Sequence, residues 1–97
     1  MIVVHKYEIK EKGYSEIEMP ENAIVRDAMA IGMKLYIWVE TDPERDKLLK
    51  SRTFFLCMTG GGYDHKRFNT HRHIRTVRFA NGIVLHLFEA LYPVENE

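Results

Sequence analysis

Apolar and polar positions alternate with a period of two along much of this chain, the pattern of strands buried on one face. The stretch "IVVHKYEI" is rich in β-branched and aromatic residues, which fit a pleated sheet, and Gly13 separates it from the alternating "SEIEM". Two strands are predicted there. "PENAIVRDAMAIGMKLYIWVETDP" admits two readings, because Pro20 near the start, acids after it and Gly32 at the end are also marks of a helix. A hairpin is favoured: "LYIWV" reads as a strand, and Gly32-Met33 fits a type II′ turn with glycine first. That turn sets Ala30 opposite Leu35 and Ala28 opposite Ile37, with Val39 on the same aliphatic face. Tyr36 and Trp38 fall on the other face, beside Met29, Asp27 and Val25. "ERDKLLK" reads as a charged loop with at most one helical turn. Asn81-Gly82 between two strand-like runs predicts a type I′ hairpin, pairing Phe79 with Val84, Val77 with His86 and Arg75 with Phe88. The sum is an all-β single domain over residues 1–97, a small antiparallel sandwich or open barrel of about seven strands with little helix.

Composition narrows the function classes. Fourteen Lys plus Arg balance fourteen Asp plus Glu, so the global basicity of a duplex nucleic-acid binder is missing and any anion binding must be local. The one cysteine, Cys57, makes no internal disulfide, the setting of a reducing interior. The apolar run at the start is too short for a signal-peptide core, and none approaches the ~20 residues of a membrane span. The expectation is a cytoplasmic protein with no membrane partner. A β domain of this size with edges and a second aromatic face is also expected to form a homo-oligomer.

One segment concentrates candidate chemistry. Three glycines, Gly60, Gly61 and Gly62, follow the strand-like "FFLCMT", and successive glycines let backbone N–H groups converge in an anion-binding nest. Between Asp64 and Arg78 stand five Lys or Arg and three His against the single acid Asp64. Arginine forks suit phosphate or carboxylate, and Tyr63, Phe68 or Trp38 would stack a base. The candidate ligand-binding set is therefore Thr59, Gly60, Gly61, Gly62, Tyr63, Arg67, Arg72, His73, Arg75 and Trp38. The competing reading is a mobile, solvated hairpin loop over Gly60–Thr70.

Other chemistries find less support. His71-x-His73 with His65 and Cys57 lacks the paired cysteines of a structural zinc site, so no metal is expected, and no cofactor motif is visible. His86 between Leu85 and Leu87, and likewise His5, read as hydrogen-bonded core histidines. Cys57 reads as a buried thiol, and the acids fall in exposed-looking runs such as "EIEMPEN" and "DPERD". These features argue against an enzyme.

The segments "HKYEI", "IEMPENA", "LYIWVETDP", "FFLCMTGGG", "IRTV" and "VLHLFEA", in that order over roughly Val4 to Leu91, resemble a family of short proteins found in phages and prophages. In that family a Gly-Thr-Gly-like turn often stands where this chain has Thr59 to Gly62. The resemblance implies a β-rich phage accessory protein acting in the infected bacterial cell, and it brings no catalytic residues. Joined to the Gly/Arg/His segment, it leads to the expectation of an anti-defence sponge that sequesters an anionic nucleotide-type signal without catalysis. The alternatives are a module that binds a host or virion protein through Tyr36 and Trp38 or an edge strand, and a small hydrolase of nucleotide signals with a histidine base.

Overall fold

A computed structural model describes residues 1–95 and shows seven strands, with no helix among them. They are β1 (Val3–Ile9), β2 (Gly13–Pro20), β3 (Ile24–Ile31), β4 (Lys34–Thr41), β5 (Leu49–Met58), β6 (Phe68–Arg78) and β7 (Val84–Pro93). All pairings are antiparallel, in a three-stranded sheet of order β1-β4-β3 and a four-stranded sheet of order β2-β5-β7-β6. The all-β sandwich expected from the alternation is what the chain forms. Of residues 21–31, open to a helical reading, 21–23 make a turn closed by the Ala23 N–H on the Pro20 carbonyl at 3.0 Å and Ile24–Ile31 is strand, because Ala28, Leu35, Ile37 and Val39 then share one buried face.

That face packs on Met19, Phe54, Leu56, Val77, Leu85 and Leu87 of the second sheet to make one core. Phe54, Ile37 and Leu87 are wholly excluded from solvent, each contributing about 1.5–3 kcal/mol by burial. The thinnest dimension, 17 Å between Cα extremes, is that of two layers at the ~10 Å spacing of packed sheets.

Turn chemistry explains where register follows expectation and where it departs. Gly32 has φ 63° and Met33 has no positive φ, as a type II′ turn requires. Ala30 faces Leu35 and Ala28 faces Ile37, as the pattern predicts. A bulge at Arg26 then reverses the alternation, so Val25 lies opposite Val39 against the core rather than beside Tyr36 and Trp38.

At Asn81-Gly82 the expected type I′ turn is not formed. Only Gly82 has positive φ, 87°; its N–H bonds the Phe79 carbonyl at 2.9 Å, and the Phe79 N–H bonds the Ile83 carbonyl at 2.8 Å. This is the three-residue loop with a glycine bulge. Pairing shifts by one residue: Val84 faces Arg78, His86 faces Thr76, and Phe88 faces His73 across a second bulge at Ile74. The shift carries Val77 and Phe79 into the core with Leu85 and Leu87.

The "ERDKLLK" loop does contain a single helical turn, closed by the Asp46 N–H on the Asp42 carbonyl at 2.7 Å. Of its two acids, Glu44 is exposed, as the run suggested, and Asp46 is not. Asp46 is buried, accepts bonds from Thr41 Oγ1, the Asp42 N–H, Asn22 Nδ2 and Arg45, and is held well below the usual carboxylate range chiefly by Arg45.

Candidate functional site

Strand order determines what the glycine segment does. β5 and β6 both run antiparallel to β7, which lies between them, so they are parallel to each other. β5 ends opposite Leu85, whereas β6 begins opposite Pro93. Residues 59–67 must therefore travel the length of β7, about 27 Å at ~3.4 Å per residue. The expected hairpin loop is instead a strap laid across the outer face of the four-stranded sheet.

The strap opens with a turn in which the Gly61 N–H bonds the Met58 carbonyl at 2.9 Å, with Gly60 at φ 92°. Positive φ at the third position is the mark of a type II turn. Gly61 and Gly62 have no left-handed φ, and one of the three glycine amides is already used within the chain. The convergent nest over all three glycines is accordingly not formed. At Gly61 the constraint is a different one: a Cβ there would lie 3.1 Å from the Met58 carbonyl oxygen, a tight contact that the turn would have to relieve by a few tenths of an ångström.

Beyond the turn the strap is anchored by Tyr63. Its ring stacks on His71 with centroids 3.9 Å apart and planes at 17°, and meets Phe88 and Phe55 edge-on at 5.3 and 5.8 Å. From β2, the far edge of the sheet, Tyr14 reaches over Phe55 and stacks on Phe68. Its hydroxyl lies 2.9 Å from His71 Nε2. The two outermost strands thus touch across the face through side chains, enclosing a second, aromatic cluster on the side away from the main core.

His71 is 8% exposed, and its Nδ1 has no partner among the described residues. Burial, aided by His65, lowers its pKa, so the ring is neutral near pH 7. Burial also raises the Tyr14 phenol, against the opposing pull of Arg67.

Arg67 closes the strap. Its guanidinium lies 4.4 Å from the Tyr14 ring centroid and 5.7 Å from that of Phe68, and it has no carboxylate partner among the described residues. Beneath it opens a surface pocket of about 500 Å³ lined by Tyr14, Phe55, Gly62, Tyr63, Asp64, Lys66 and Arg67. Asp64 is partly occupied in accepting the Lys66 N–H at 2.9 Å.

The same outer face carries a hydrogen-bonded chain of hydroxyls and imidazoles. Thr59 Oγ1 lies 2.7 Å from His86 Nε2, Thr76 Oγ1 lies 2.9 Å from His86 Nδ1, and His73 Nε2 lies 3.1 Å from Thr76 Oγ1. His86 is hydrogen-bonded as expected, but it is half-buried on the outer face and not in the core, because Leu85 and Leu87 on either side of it take the core face of β7. His5 is exposed on β1 and not a core residue either. Cys57, across from His86, is half-buried, and burial pushes its thiol pKa up.

Thr59, Gly60, Gly61, Gly62, Tyr63, Arg67 and His73 of the expected set therefore share one face. The other three do not join them. Arg72 points to the opposite side of β6 and donates to Glu89 Oε1 at 2.8 Å. Arg75, beside the Ile74 bulge, reaches Asp27 of β3 at 3.4 Å and ties the two sheets. Trp38 lies on the outer face of the other sheet, edge-on to Tyr36 at 6.3 Å.

Sequence reading missed Tyr14 and Phe55, because only strand pairing between distant segments brings them beneath the strap. It also missed the carboxylate of Glu89, which takes Arg52 Nε and Nη2 at 2.8 Å each while Arg52 Nη1 donates to the Ala23 carbonyl. Among the described residues no three metal-ligating side chains cluster, and no helix is long and apolar enough to cross a membrane.

Comparison with curated proteins and with solved structures returns no match. A family profile does match, and it spans residues 1–96: the chain belongs to the family described as a domain of unknown function, DUF7352.

Proposed function

We propose that the protein binds an anionic, ring-bearing small molecule of nucleotide type in the strap pocket and holds it without turning it over. The observation that carries this reading is Arg67: a guanidinium laid on an aromatic ring, free of any carboxylate among the described residues, at the rim of an aromatic-floored pocket. Stacking fixes the plane of the fork while its N–H groups stay available for a phosphate. Tyr63, 39% exposed, leaves part of its side chain open to a base. Lys66 adds a second cation at the rim. With the resemblance to short phage proteins, the ligand class is the cyclic or ADP-ribose-derived nucleotide signals of bacterial immunity, and the role is that of a sponge.

Titration calorimetry with a panel of cyclic dinucleotides and ADP-ribose derivatives tests it. Arg67→Ala and Tyr63→Ala are expected to weaken binding by roughly tenfold or more, the loss of one charge-assisted contact or one stacking plate. Arg72→Ala, on the opposite side of the strand, is expected to leave affinity unchanged. Ligand recovered after denaturation should be intact. No binding across the panel, parental affinity in Arg67→Ala, or cleaved product in proportion to protein would each overturn the reading.

A second reading, docking of a host or virion protein on the three-stranded sheet, draws on Met29 and Ile31, exposed by 52% and 51% on the face that carries Tyr36 and Trp38.

A further inference from the structure

Each sheet of the sandwich has two edges, and they are not equivalent. On one side β3 and β6 approach one another and are joined by Arg75 and Asp27. On the other side β1 and β2 have no further strand partner among the described residues. An unpaired edge offers a row of N–H and C=O groups to another strand. β2 is guarded against its own copy: pairing about Ile17 would set Glu16 against Glu18 of the second copy, and Pro20 lacks an N–H.

β1 carries the opposite pattern. Lys6 and Glu8 share one face of the strand, either side of Tyr7, and neither has an ion-pair partner among the described residues. Antiparallel pairing of β1 with a second copy about Tyr7 sets Lys6 against Glu8 twice, once on each side of a central Tyr7–Tyr7 pair. Shifting the centre to Lys6 or to Glu8 places like charges opposite each other. Opposite-charge and aromatic cross-strand pairs stabilise, and like charges opposed destabilise, so the sequence of the strand selects one register.

We infer that the protein forms a twofold homodimer through antiparallel β1–β1 pairing centred on Tyr7, making one six-stranded sheet from two three-stranded ones. The occupant of this edge is a second copy of the chain because its charge pattern is complementary to itself. This assembly is independent of the strap pocket, which lies on the other sheet.

Light scattering at tens of micromolar protein should give twice the chain mass. Lys6→Glu alone and Glu8→Lys alone each convert both attractive pairs into repulsive ones, and each should weaken dimerisation by roughly tenfold or more. Mixing the two single variants should restore a dimer, now a heterodimer, and the double variant K6E/E8K should dimerise by itself. Circular dichroism checks that each variant is folded, and amide exchange over Val3–Ile9 in the parent should slow as concentration rises. A monomeric parent at these concentrations, single variants that dimerise like the parent, or a mixture that stays monomeric would each overturn the inference.

Discussion

Replacing Glu89 with leucine tests how far the fold depends on one buried carboxylate. Its side chain is 3% exposed and accepts three bonds of 2.8 Å, two from Arg52 and one from Arg72. Leucine keeps much of the volume but accepts nothing, so Arg52, 14% exposed, retains only the Ala23 carbonyl. Removing one partner of a buried pair costs about 3–5 kcal/mol. Arg72→Ala removes a bond from a side chain 58% exposed, and such exposed pairs contribute about 0–1 kcal/mol. Against a total of about 5–15 kcal/mol for a small domain, the first loss is a large share of the margin and the second is not. The double variant Arg52→Met/Glu89→Leu removes both buried charges and should regain most of what Glu89→Leu loses. Urea unfolding followed by the fluorescence of the single tryptophan, Trp38, at one fixed protein concentration measures all four chains. The argument fails if Glu89→Leu stays within about 1 kcal/mol of the parent, or if Arg72→Ala costs as much as Glu89→Leu.

Three further outcomes follow from the strap and its cluster. Because burial holds the native pKa of His71 below its ordinary 6.5, the unfolded chain takes up this proton first as pH falls. The contribution is complete above 6.5 and declines below it, with a limiting slope of about 1.4 kcal/mol per pH unit, until the native ring titrates too. Unfolding titrations at several pH values should show a shallower acid decline in His71→Phe than in the parent, and an identical slope would refute the assignment. Gly60→Ala should cost about 1–2 kcal/mol, since the new Cβ meets no atom within 4 Å and the penalty is the left-handed φ alone. Gly62→Ala, in open space at an ordinary φ, should be neutral or slightly stabilising. Thermal melts in the reverse order would show that the strap's turn is not the one described.

What could be read from sequence was what depends on neighbours in sequence. The Gly32-Met33 turn and the alternation around it gave the β3–β4 register from Ala28 to Leu35, because a two-residue turn and a period of two leave few choices. Asn81-Gly82 misled because the same dipeptide serves a three-residue loop with only the glycine left-handed, and one residue of difference turns every following side chain over. Bulges at Arg26 and Ile74 carry no glycine or proline to announce them. The cationic segment looked like one site because charge was summed along the chain, whereas a strand sends Arg72 and His73 to opposite sides. What Arg72 and Arg75 face, Glu89 and Asp27, is decided by strand order, which local pattern does not encode. Tyr63 and Arg67 stayed together for the opposite reason: the strap crosses one face only.

The insertion of β7 between β5 and β6 also sets an order of events during synthesis on the ribosome. The three-stranded sheet draws only on residues up to Thr41, whereas β5 gains its second neighbour only after Val84 to Pro93 has emerged. At roughly 5–20 residues per second, the nascent "TFFLC" edge waits on the order of seconds with one side unpaired. Premature termination within β7 would leave β5 and β6 with a vacant lane between them and the Phe54 side of the core uncovered. Such a fragment is a natural target for chaperone capture and proteolysis, and the last strand acts as the closing step that makes the whole chain competent.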